Sequence, residues 1–168
     1  MVALNGPAVG LSAALISHAD FIYATDSTFL LTPFTSLGLV AEGGSSYMFA
    51  QRLGLSKANE ALILSKKIPA TDLLQCGFLN KIYPTPANPN DSSSFIEQVV
   101  KDIKADFLER GLNRDSMLLV KKLIRARYND SVKNANLEEV FGGLDRFMAG
   151  APQKEFMALA TGEKKHKL

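Results

Sequence analysis

The chain has 168 residues, 46% of them hydrophobic, which is enough to close a core of its own. Its formal charge of +2, from 19 Lys and Arg against 17 Asp and Glu, is too small to point to nucleic acid as a partner. A single cysteine, Cys76, excludes an internal disulfide and a cysteine-rich zinc site, and no metal is expected. The charge is unevenly placed, because no Lys or Arg precedes Arg52, so the first third reads as buried interior. Its apolar runs fall short of the ~20 residues of a membrane span. Residues 1–16 lack the positive start of a secretory signal and are broken by Asn5-Gly6-Pro7.

Residues 2–5 are expected to form a short buried strand, followed by a glycine-bearing turn over 6–10 and a compact apolar helix over 11–18. Strands over 21–24 and 28–31 flank the turn pair Asp26-Ser27. This strand, turn, helix, strand order is that of an α/β layer. Helices are expected over 45–53 and 56–64, the second capped by Ser56, then a short helix from Pro69 to Gly77 and a last strand over 78–82. Pro84, Pro86 and Pro89, with the Asn and Ser residues around them, mark a linker over 84–94. Beyond it Ile96, Val99, Val100, Ile103 and Phe107 recur at helical spacing, as do 117–124 and the set Leu137, Val140, Phe141, Leu144, Phe147, Met148. A final short helix surrounds Phe156 and Leu159. The chain therefore divides into a core over 1–83, the linker, a helical region over 95–162 and a tail over 163–168.

Glu42 is the only charged side chain between Asp26 and Arg52. Desolvation without a cationic neighbour raises a carboxylate toward neutrality, which makes Glu42 a candidate general base. The plainer role is that of an acid at a helix start, since Gly43-Gly44-Ser45-Ser46 follow it. At the first helix, the N–H groups of Gly10, Leu11 and Ser12 have no partner within the helix and could hold a developing oxyanion. Ser12, His18 and Asp20 have the residue types of a hydrolase triad. The six residues from Ser12 to His18 on one helix do not bring their side chains together. His18 is instead expected to find a backbone carbonyl. His166-Lys167-Leu168 at the terminus is similar to the Ser-Lys-Leu peroxisomal address.

Residues 5–15, His18-Ala-Asp-Phe-Ile-Tyr23, Leu31-Thr-Pro-Phe-Thr-Ser-Leu-Gly38 and Ala41-Glu-Gly-Gly-Ser45 together resemble the crotonase, or enoyl-CoA hydratase/isomerase, superfamily. Within it they most resemble fungal peroxisomal 3,2-trans-enoyl-CoA isomerases. The resemblance implies a ClpP/crotonase-like spiral of ββα turns, of which the chain would hold the C-terminal portion, followed by oligomerisation helices serving a homo-trimer or hexamer. It implies that the Leu11 N–H is the second oxyanion-hole donor. Glu42 corresponds to the base that takes a proton from C2 of a 3-enoyl-CoA and returns it at C4. Ala8, Gly10, Pro33, Phe34 and Leu37 fall on the substrate-binding positions. The two glutamates with which hydratases add water would fall on Ala14 and Phe34, neither of which moves protons.

The family's first oxyanion donor and much of its adenine pocket lie in an N-terminal half that would precede Met1, so the chain is expected to be a fragment of a longer protein, with a genuine short form holding half an active site as the alternative. The expected reaction is isomerisation of fatty acyl-CoA in β-oxidation, with CoA as part of the substrate and no cofactor. The expected location is the peroxisomal matrix, reached through an import receptor. The alternatives are a dienoyl-CoA isomerase and a non-catalytic subunit that assembles with a full-length paralogue.

Overall fold

The computed structural model describes residues 1–88 and 90–165. Its first half alternates between two small sheets. Strand β1 (Val2–Leu4) belongs to one sheet and β2 (Ala8–Val9) to the other, and helix α1 (Leu11–Ile16) follows. The pattern repeats with β3 (Ile22–Thr25), β4 (Phe29–Leu31) and helices α2 (Ser45–Leu53) and α3 (Leu55–Leu62). It then runs through β5 (Ile68–Pro69), α4 (Ala70–Gln75) and β6 (Lys81–Tyr83). One sheet has the order β1-β3-β6, all parallel; the other has the order β2-β4-β5, with β5 antiparallel. Two strands and then a helix, in successive layers, is the ββα spiral expected.

Strand β3 lies at the centre of its sheet and is buried at every residue, as a parallel strand covered on both faces must be. Ile22 and Ala24 turn into the main core with Phe49, Leu73 and Phe78, while Tyr23 packs with Tyr83, Phe95 and Val99 in a second cluster. Arg52, at the end of α2, reaches into this interior and donates to the carbonyls of Ser17 (2.9 Å), Ala19 (2.8 Å) and Phe78 (3.2 Å), its guanidinium 5.0 Å from the Phe78 ring centre.

The helical half comprises α5 (Ser93–Lys104) with a π-helical turn over Ala105–Glu109, α6 (Arg114–Ala126), α7 (Asn129–Met148) and α8 (Ala151–Ala160). Phe95 and Val99 of α5 belong to the second core cluster, so this half grows directly from the sheet. Three sequence expectations are corrected. Residues 8–9 and 68–69 are strands, too short to carry an alternating pattern. Helix α3 begins at Leu55 behind Gly54, not behind a Ser56 cap. The last strand starts at Lys81, and Asn80 before it ties the chain to the start of β3, its side-chain oxygen accepting from Ile22 N–H (2.7 Å).

Candidate active site

Glu42 stands in the turn that delivers the chain into α2. Gly43 (φ 66°) and Gly44 (φ 73°) are both left-handed, a sequence of conformations that residues with a Cβ adopt only at a cost. Glu42 is half-buried, and neither a hydrogen bond nor a cation lowers its pKa. Burial pushes its carboxyl above the ordinary glutamate range, and the Glu139 carboxylate pushes it further the same way. The role of acid at the helix start belongs to Glu139, which comes from α7. Its two oxygens accept from Gly44 N–H (2.6 Å) and Ser46 N–H (2.8 Å), where orphan donors and the helix dipole favour a negative charge. Glu42 is thereby left without that structural duty.

The turn lies against α1. A Cβ on Gly43 would sit 3.2 Å from Leu11 Cδ1 and 3.4 Å from Ala14 Cβ. Gly10 does not supply a free donor as expected, because its N–H extends the β2–β4 ladder onto Leu31 O (2.8 Å). The first bond that α1 closes on the turn before it runs from Ala14 N–H to Gly10 O (3.3 Å), which leaves the Leu11 N–H at the open start of the helix. Ala8 is buried in β2, and Phe34 is buried at the head of a 3₁₀ turn over Thr35–Leu37. Pro33 and Leu37 flank it half-buried, and Leu37 N–H donates to Pro33 O (3.1 Å). Thr32 and Thr35 hydroxyls tie this loop to the end of α3 through Ala61 O and Ile63 O (both 2.9 Å).

Ser12, His18 and Asp20 go to three different places. The Ser12 hydroxyl donates to Val9 O (2.7 Å), His18 Nε2 meets Gly43 O (2.7 Å), and Asp20 pairs with Lys121 and Arg125 of α6 (both 2.6 Å). A cavity of about 1440 Å³ opens elsewhere, between the first sheet and α5–α6, with Tyr23, Arg52, Phe107 and Met117 on its walls; none of the expected site residues lines it. Among the described residues no cluster of His, Cys, Asp and Glu is placed to hold a metal. His166, Lys167 and Leu168 lie outside the described residues.

Sequence reasoning missed Glu139, which reads there as half of an exposed Glu138-Glu139 pair. The available signal was its spacing. Val132, Asn136, Glu139 and Gly143 follow one another at helical intervals, and the structure puts Val132 and Asn136 against Gly44, Glu139 on its N–H, and Gly142 and Gly143 against Val40.

Residues 1–158 match the family model described as Enoyl-CoA hydratase/isomerase. The chain is 55% identical to a Delta(3,5)-Delta(2,4)-dienoyl-CoA isomerase of Pyricularia oryzae over 168 residues, all of this chain and 60% of that protein. It is 33% identical to a 3,2-trans-enoyl-CoA isomerase of Saccharomyces cerevisiae over 166 residues, 98% of this chain and 58% of the relative. The crystal structure of an enoyl-CoA hydratase/isomerase from Pseudoalteromonas atlantica T6c superposes with a TM-score of 0.79 at 24% identity, covering 100% of this chain and 64% of that one. The chain thus spans about 60% of the length of the curated relatives it matches.

Proposed function

Since the chain belongs to the enoyl-CoA hydratase/isomerase family and has its fold, we propose that it serves to move a carbon–carbon double bond in a fatty acyl-CoA, from the 3-position to the 2-trans position. Glu42 takes a proton from C2, the electron pair delocalises into the thioester as a dienolate, and the same carboxyl returns the proton at C4. The Leu11 N–H is one donor to the enolate oxygen; a fixed donor of this kind contributes ~3–4 kcal/mol to the transition state. The observation that carries this reading is a half-buried carboxylate with no bond that lowers its pKa, in a turn whose next residue, Gly43, packs against Leu11 and Ala14 of α1. Ala14 and Phe34, both buried, stand where hydratases would hold their glutamates, and Phe34 helps keep water off the product.

The base must be deprotonated, so activity is present above the Glu42 pKa and lost as pH falls through it. That places the acid limb of kcat/KM, which reports the free enzyme, above the usual value of 4.5. Glu42→Gln keeps the shape and removes the base. It should lower kcat by ~100-fold or more with little change in KM, measured as 2-enoyl-CoA formation. Turnover that survives in Glu42→Gln removes this residue from the mechanism.

The same base could act on a conjugated 3,5-dienoyl-CoA, a second reading favoured by the 55% identity to the Pyricularia oryzae protein named for that reaction. A longer proton path calls for a second carboxyl. The one whose charge reaches Glu42 is Glu139, and both its oxygens are engaged by backbone N–H groups. Parallel assays on the two substrate types separate the readings. CoA is the substrate's handle in either case, and no cofactor is required. The His166-Lys167-Leu168 ending supports import into the peroxisomal matrix by a tail-reading receptor, and its deletion from a fluorescent fusion should move puncta to cytosol.

A further inference from the structure

The peptide unit joining Gly43 to Gly44 is held at both edges by side chains from opposite ends of the chain. On one edge His18 Nε2, at the end of α1, lies 2.7 Å from Gly43 O and donates to it. On the other, Glu139 of α7 accepts from Gly44 N–H (2.6 Å) and, with its second oxygen, from Ser46 N–H (2.8 Å). Two consecutive glycines have more alternative conformations than any other pair, so something outside the turn must select this one. Local bonds supply little of that selection. Ser45 N–H reaches Glu42 O (3.2 Å), and the Ser45 hydroxyl, fully buried, has no partner among the described residues.

We propose that His18 and Glu139 are positioning residues for Glu42, which clamp the Gly43–Gly44 peptide between α1 and α7 and so aim the adjoining carboxylate at the start of α1. The inference rests on the reading of Glu42 as the base. It goes beyond helix capping because the cap carries a negative charge beside a second carboxylate. An uncharged cap would hold the helix without that repulsion, and Glu42 feels the Glu139 charge as well as its own burial.

Several other charged groups on the surrounding elements are engaged elsewhere. Arg52 of α2 is spent on the carbonyls of Ser17, Ala19 and Phe78. Lys133 pairs with Asp130, Arg146 reaches Gly38 O (3.3 Å), and Glu155 of α8 pairs with Lys164 (2.5 Å). Helix α1 itself carries no titratable side chain, and His18 follows two residues after its end.

The test compares Glu139→Gln, Glu139→Asp, His18→Ala and His18→Gln with the parent, by 13C NMR titration of the Glu42 side-chain carboxyl and by steady-state kinetics. Glu139→Gln should move the Glu42 midpoint to lower pH and lower kcat by tenfold or more, with KM changed less than twofold. Glu139→Asp, which keeps the charge, should leave the midpoint nearer the parent's. His18→Ala should lower kcat, and His18→Gln, which retains a donor for Gly43 O, should recover part of it. A Glu139→Gln protein that is only less heat-stable, with the Glu42 midpoint and kcat unmoved, overturns the proposal. If Glu139→Gln does not fold, equal kcat in His18→Ala and the parent overturns it. If the parent turns over neither acyl-CoA, the isomerase reading fails, while the midpoint difference still decides whether Glu139 acts on Glu42.

Discussion

Ser45 has a buried hydroxyl without a partner among the described residues, at the first position of α2. Such a group costs ~1–3 kcal/mol in desolvation that no bond returns. Ser45→Ala should therefore be neutral or stabilising by up to ~1 kcal/mol, read as the midpoint of urea unfolding; a loss of more than that would mean that the hydroxyl has a bond in solution. Three residues away, the isolation of Glu42 among apolar and small residues could be read from sequence because it is local. The role of Glu139 was missed, because its partners are 93 and 95 residues distant and only its helical spacing with Val132, Asn136 and Gly143 marks the shared face. That the N–H of Leu11 opens the first helix could be read for the same local reason, whereas the loss of the Gly10 donor to Leu31 follows from a strand pairing of two residues that leaves no pattern.

Among the elements, α7 is expected as a helix whose apolar side serves assembly, and its stripe Leu137, Val140, Phe141, Leu144 is exposed, Val140 at 66%. The inward stripe is instead the polar and small one. Gly142 and Gly143 let Val40 approach, and Glu139 fixes the rotation about the axis. Gly38 is a similar close approach, since its Cβ would lie 2.9 Å from the backbone of Ala151, where α8 begins. Helix α6 is docked differently, through charge. Partial burial opposes ionisation of Asp20, but Lys121 and Arg125 outweigh it and hold its carboxyl below the usual carboxylate range. A folded pKa below the unfolded ~3.9 gives stability that is present above that pH and lost as pH falls through the folded value. These groups are partly exposed, so Asp20→Asn should cost about 1 kcal/mol at pH 7. Urea midpoints of the variant and parent should converge once the pH has fallen through the depressed folded value; a gap that persists there would assign the effect to packing.

For the whole molecule, the alternation of strand and helix could be read from runs of buried residues bounded by glycine or proline, while the ββα spiral came from the family resemblance, because β2 and β5 are two residues each and leave no pattern. The outward apolar faces of α6, α7 and α8 could be read as apolar but not placed. Leu123 is exposed at 69% and Met148 at 78%, on helices that also expose Leu119, Phe141 and Phe147. Apolar surface of this extent on neighbouring helices fits assembly into a trimer or hexamer. Sedimentation at micromolar concentration should show species larger than the 18.2 kDa monomer, and a monodisperse monomer would count against it. The Gly44–Glu139 bond also has a consequence in time. Closing a loop of 95 residues is slow beside the pairing of β1 with β3, and on a ribosome it must wait until α7 has emerged. The turn that bears Glu42 is made early, but it is completed among the last parts of the molecule. A chain interrupted before residue 139 would keep its sheets and its glutamate and never acquire the geometry around it.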